Sequence, residues 1–162
     1  MKRKSRANAL EQTALIMGLG TLIGVAAAIL MMGMTDARAD DSAVFGTWET
    51  KDGKSHVKIE NCEDGICGKI VWLKEPTTED GQPKLDRLNK DDKLKTRPLL
   101  GLTMLNGFVP GDDNNHFDDG TIYNPSDGNS YSSEMALLED GNLKVEGCVL
   151  FICKEQIWTR VP

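Results

Sequence analysis

Histidine is scarce in this chain: His56 and His116 are the only two in 162 residues. No G-x-S-x-G string occurs, so the usual serine-nucleophile elbow is missing. Nucleophilic catalysis therefore has little to work with, and the reading leans away from an enzyme. Pairs of carboxylates abound, but an acidic chain produces such pairs by chance. Positive charge is also short, with 19 Lys and Arg against 25 Asp and Glu. A nucleic-acid partner needs a basic surface and is disfavoured. Internal repeats, low-complexity segments and amphipathic helices between strands are missing too, and no cofactor is expected.

The N terminus is the exception to this polarity. Lys2, Arg3, Lys4 and Arg6 form a basic start, and residues 13–34 follow without a single charge. Ala37-Arg38-Ala39 is an A-x-A cleavage signature. This predicts a signal peptide over 1–39, cleaved after Ala39, and one domain over 40–162 exported to the periplasm or beyond. The alternative is an uncleaved inner-membrane anchor, since the apolar run is long enough to span a bilayer. No cysteine lies near the junction, which argues against a lipoprotein. Without 1–39, fourteen Lys and Arg face twenty-three Asp and Glu, a balance of −9. Adhesion of the mature domain to anionic lipid is disfavoured on that charge.

All four cysteines, Cys62, Cys67, Cys148 and Cys153, lie in the exported part. An even count in an oxidising compartment reads as two disulfides. Three pairings are possible. Both couples share C-x4-C spacing across a chain reversal, which favours Cys62–Cys67 and Cys148–Cys153.

The rest reads as strands and tight turns. Val57 and Ile59 alternate with Lys58 and Glu60, and Asp-Gly pairs recur at reversals. Strands are expected over 45–50, 56–62, 66–73, 99–109, 120–124, 131–138, 143–149 and 155–161. Residues 70–73 are apolar in succession and read as buried on both faces. Eight sequential strands without intervening helices predict an all-β, antiparallel up-and-down barrel. Segment 74–98 interrupts the rhythm and is too long for a bare connection. Asn89 is placed there to cap one short helical turn.

Gly46-Thr47-Trp48 on the first strand and Arg160 on the last resemble the G-x-W and terminal arginine of the calycin/lipocalin group. A closing barrel brings those strands together, and a guanidinium over an indole is a favourable contact. Trp48 and Arg160 are therefore expected to close one barrel end. A closer resemblance covers nearly all of 44–162. It is carried by Cys67-Gly68-Lys69-Ile70-Val71-Trp72-Leu73, Arg97-Pro98-Leu99-Leu100-Gly101, Gly120-Thr121-Ile122-Tyr123-Asn124-Pro125, Asp127-Gly128-x-x-Tyr131, Gly147-Cys148 and Trp158-Thr159-Arg160. These strings resemble a set of small secreted bacterial proteins filed as domain of unknown function 2147. The resemblance implies a periplasmic or secreted, lipocalin-like protein and imports no settled activity. Asn124 departs from it, since that family more often has Asp before the proline.

Segment 84–98 is the main candidate for function, with Asp86, Arg87, Asn89 and Arg97 forming a lid over one barrel mouth. The plainer alternative is a solvated loop with local caps. Trp72, Tyr123 and Tyr131 are candidate cavity-lining residues, although aromatics in strands are more often ordinary core. Asp112, Asn114 and Asp118 offer oxygens for calcium, but their loop lacks the central Gly and distal Glu of an EF-hand. An acidic surface loop is the favoured reading, with no resident metal. The leading expectation is a binding protein for a small apolar or amphipathic ligand held in the barrel. The runner-up is an envelope interaction module for a basic protein partner, and a hydrolase or isomerase comes third.

Overall fold

The computed structural model describes residues 43–162; the expected signal segment and its cleavage point lie outside the described residues. Alternating burial builds the strands. In β2 (Ser55–Cys62), Ser55, Val57 and Ile59 are buried, while the residues between them are not. That period of two gives each strand one inward face. The other strands are β1 (Gly46–Glu49), β3 (Gly65–Leu73), β4 (Thr103–Pro110), β5 (His116–Asn124), β6 (Asn129–Leu137), β7 (Leu143–Val149) and β8 (Ile152–Arg160). Each pairs antiparallel with the next, and β1 closes onto β8 with Trp48 opposite Arg160. The expected up-and-down barrel is the observed one.

The barrel has two unlike ends. At one, the start of β1 meets the end of β8. The indole of Trp48 is fully buried and donates from Nε1 to Val44 O at 2.8 Å. The Arg160 guanidinium lies 4.2 Å above that ring, donates from Nη1 to Phe45 O at 2.9 Å, and also donates from Nη2 to Ala43 O. Gly46 is needed beneath it. A Cβ there would stand 2.6 Å from Arg160 Nη1, on a backbone with φ +133°. The G-x-W and terminal arginine thus form one clasp. The opposite end, where β3 finishes and β4 begins, is an open mouth.

Between the ends, the interior is filled by its own side chains. Trp158, Phe108, Phe117, Met135, Leu105 and Leu143 are at most 2% exposed. A ligand buried deep inside the barrel, the leading expectation, therefore meets packed core. Among the described residues, usable space lies at the mouth and beneath segment 84–98, where a cavity of about 490 Å³ is lined by Asn89, Arg97, Tyr123 and Gly128.

Hairpin turns follow the anticipated grammar, with Gly53, Gly65, Gly128 and Gly141 at positive φ. The β7–β8 hairpin is different. Its two turn residues are Leu150 and Phe151, and Leu150 holds φ +54°. Cys148 and Cys153 face each other just below and are disulfide-bonded, as are Cys62 and Cys67. Both favoured pairings are the observed ones.

Three local expectations need correction. Residues 70–73 are not buried throughout, because Val71 and Trp72 are exposed. The register slips there, Val57 facing Ile70 while His56 faces Trp72. The extra residue turns Trp72 outward. β4 begins at Thr103 rather than Leu99, because Leu99 N donates to Lys84 O and Gly101 N to Ile70 O. The helical turn is a 3-10 turn over Asp92–Leu94, and its cap is Asp91, not Asn89. Asn89 instead accepts through Oδ1 from Asp91 N.

Candidate functional site

Segment 74–102 is an ordered strap. Asp86 N donates to Arg97 O and Leu99 N to Lys84 O, closing the strap on itself. One buried carboxylate docks it onto the barrel. Asp86 is 0% exposed. Its Oδ2 accepts from Asn89 Nδ2 at 2.8 Å, Arg97 Nε at 2.9 Å and Arg97 Nη2 at 2.8 Å. Its Oδ1 accepts from the Tyr123 hydroxyl on β5 at 2.6 Å. Asn89 Nδ2 also donates to Tyr123 Oη at 2.9 Å. The Arg97 guanidinium lies 5.3 Å from the Tyr123 ring centroid.

Four sequence candidates, Asp86, Asn89, Arg97 and Tyr123, thus meet in one network. A buried carboxylate with convergent polar groups is the arrangement a hydrolase or isomerase would use. Here its lone pairs are committed to four donors and solvent cannot reach it. Burial and the adjoining Asp86 also raise the Tyr123 hydroxyl above its ordinary value. The Tyr123 hydroxyl therefore keeps its proton near neutrality. The network is a lock that fixes the strap.

Tyr131 belongs to a separate cluster. Its hydroxyl donates to Asp127 Oδ2 at 2.8 Å, and Asn124 Nδ2 donates to the same oxygen at 2.8 Å. Burial pushes the Asp127 carboxyl up, but donors from Tyr131, Asn129 and Asn124 outweigh it and hold the group below the usual range. Asn124, the departure from the family pattern, is thus a donor within this turn. Gly128 completes the join between turn and strap, its φ being +71°. A Cβ there would collide with the backbone carbonyl of Leu88. Gly128→Ala is therefore expected to undock the strap. Protease cleavage within 84–98 should rise more than about tenfold while barrel circular dichroism persists. Unaltered cleavage would show that the strap does not rest on this turn.

Trp72 joins neither cluster; it stacks on His56 with ring centroids 4.2 Å apart. Of the candidate calcium oxygens, Asp118 stands on β5, and neither Asp112 nor Asp118 belongs to a close group of three His, Cys, Asp or Glu ligands among the described residues. The acidic loop is organised by Asp113, which accepts from Asn115 N and His116 N and contacts His116 Nδ1 at 2.7 Å. The groups near enough to share a cation are Glu60 with Cys62 and Cys67, and Glu146 with Cys148 and Cys153. Their sulfurs are committed to disulfides.

The mouth holds a cavity of about 610 Å³, lined by the β1–β2 turn, the end of β3, the strap, the start of β4, the β5–β6 turn and β8. Ile70, Leu73, Leu99 and Met104 give it an apolar side. Thr50, Ser55, Asn124 and Gln156 are neutral polar neighbours, and four lysines, Lys54, Lys74, Lys84 and Lys154, line it together with two carboxylates, Asp52 and Glu75. Lys84 is held by Glu75 at 2.8 Å and Lys54 by Asp52 at 3.6 Å. Lys74 and Lys154 form no ion pair among the described residues. Sequence reasoning named none of these residues as a site. They come from six separate stretches, and their one sequence signal is a scatter of lysines near the mouth-side turns of an acidic chain.

No curated protein matches this sequence. Among solved structures, protein HP1028 from Helicobacter pylori, described as belonging to the lipocalin family, superposes with a TM-score of 0.61. It shares 22% identity, and the match covers 72% of this chain and 82% of that one. Such a likeness speaks for the fold, and it agrees with the closed eight-stranded barrel. A family model for uncharacterized proteins conserved in bacteria, DUF2147, matches residues 46–160, and the chain belongs to that family.

Proposed function

We propose that this lipocalin-like protein is exported to the cell envelope and binds a small amphipathic molecule in the mouth of the barrel. The cavity carries the reading. Its volume, about 610 Å³, lies within the range of small-molecule sites. Ile70, Leu73, Leu99 and Met104 would cover an apolar body. Lys74 and Lys154 would pair with an anionic or strongly polar head. The strap supplies Lys74, Lys84 and Leu99, so locking it through Asp86 preorganises part of the site. The two disulfides, with no membrane-crossing helix among the described residues, are compatible with the periplasm or a secreted location.

The test is titration with a dansyl-labelled fatty acid, alongside native mass spectrometry of protein taken from its own host. Saturable fluorescence enhancement is expected. Leu99→Trp, which fills the cavity, should abolish it without lowering the melting temperature. Lys74→Glu with Lys154→Glu should weaken it roughly tenfold. Equal binding by wild type and Leu99→Trp would reject the mouth as the site.

A further inference from the structure

The β7–β8 hairpin presents four consecutive apolar residues to solvent. Val149 is 56%, Leu150 90%, Phe151 88% and Ile152 70% exposed. The turn residues are chemically out of place. Two-residue hairpin loops favour Asn, Asp or Gly, which tolerate positive φ; here a leucine holds φ +54°. The Cys148–Cys153 bridge pins the hairpin directly beneath the tip. A strained, stapled and fully exposed Leu-Phe turn contributes nothing to the core.

Its surroundings identify what covers it. The tip stands at the mouth end, where Lys51 and Lys54 flank the β1–β2 turn and Lys154 follows the finger. Acidic residues sit among them, and the mouth-side turns 50–54, 74–102 and 125–128 nearly balance, with nine Lys and Arg against eight Asp and Glu. The clasp end is strongly acidic by comparison. The turns there, 63–64, 111–115 and 138–142, carry Glu63, Asp64, Asp112, Asp113, Glu139 and Asp140 and no lysine or arginine. The mature charge of −9, which disfavours adhesion to anionic lipid as an average, is therefore unevenly placed. An anionic surface repels the clasp end and leaves the mouth end facing it.

We propose that the finger Val149–Ile152 docks the protein, mouth first, on a bilayer leaflet containing anionic phospholipid. Leu150 and Phe151 would enter the acyl boundary, while Lys54 and Lys154 lie at headgroup level. A narrow apolar tip at the near-neutral end of an acidic barrel suits a lipid interface better than a flat protein face. This inference is independent of whether the cavity is occupied. The two readings together would give an amphipathic ligand a short path from leaflet to cavity.

The test uses the protein as its host makes it, with Trp72→Phe introduced to remove the exposed indole nearby. Phe151→Trp and, at the opposite end, Asp140→Trp each add a local reporter. Vesicles contain phosphatidylethanolamine and phosphatidylglycerol, with or without brominated acyl chains. Bromine is expected to quench the reporter indole of the Phe151→Trp variant at least about twofold more than that of the Asp140→Trp variant. Because the readout is local, membrane binding by another segment would not imitate it. Replacing both Leu150 and Phe151 with Asp should lower vesicle partitioning roughly tenfold at an unchanged melting temperature. Equal quenching at the two ends would overturn the proposal. So would unaltered partitioning of the double variant, or a dimer of the wild type that the double variant dissociates. Photocrosslinking from position 151 in isolated envelopes to a protein, with no lipid adduct, would assign the finger to a protein partner instead.

Discussion

Replacing Trp48 with alanine is expected to cost about 3–5 kcal/mol and lower the thermal midpoint by about 15 °C. Three losses combine. A fully buried indole leaves a cavity at the β1–β8 seam, where only Trp48 and Glu49 find partners on β8. Val44 O loses its donor. Arg160 loses the ring 4.2 Å beneath its guanidinium. Arg160→Ala should do less, about 1–2 kcal/mol, because the indole remains buried. Differential scanning calorimetry decides the matter. A Trp48→Ala midpoint equal to wild type would mean that the clasp does not close the barrel.

Asp86→Ala is the second large effect. Removing one member of a buried ion pair costs about 3–5 kcal/mol when the partner stays buried. Here the strap can leave, which bounds the loss at the free energy of undocking. The expected result is therefore local: hydrogen exchange within 84–98 loses protection while β6 and β7 keep theirs. Unchanged protection in 84–98 would refute the lock. Tyr123 adds a pH signature. Its folded pKa is raised, first by burial and then by Asp86, so the fold prefers the protonated hydroxyl. That contribution is complete below the unfolded value of about 10 and is lost as pH rises through the folded value. Protease sensitivity of the strap should climb above about pH 10 in wild type, and Tyr123→Phe should flatten the climb.

The barrel was legible because its determinants are local. Period-two burial, Asp-Gly reversals and C-x4-C spacing each operate within one hairpin. The clasp was legible for another reason: closing a meander must join its first and last strands, whatever lies between. Trp72 misled because the bulge that turns it outward depends on register with His56. Asp86, Asn89, Arg97 and Tyr123 each stood out, but their convergence depends on Gly128 accepting Leu88 O against its backbone. The mouth cavity was the least visible feature, since Leu73, Leu99, Met104 and Gln156 come from separate elements and look like ordinary strand or loop residues. The Leu150-Phe151 turn carries its own sign in the sequence, two large apolar residues where a reversal calls for Asp and Gly.

The β1–β8 seam also bears on how the chain reaches this state. Seven of the eight ladders join neighbours in sequence and can zip from their own turns. The eighth brings Arg160 to Phe45, 115 positions away. Loop-closure entropy makes that pairing the slow one, and few ladder partners reward it. Gly46, Trp48 and Arg160 are thus positioned to act as a latch on an already assembled meander. Until it fastens, the nascent protein exposes two free sheet edges, the condition under which a folding chain most needs a chaperone.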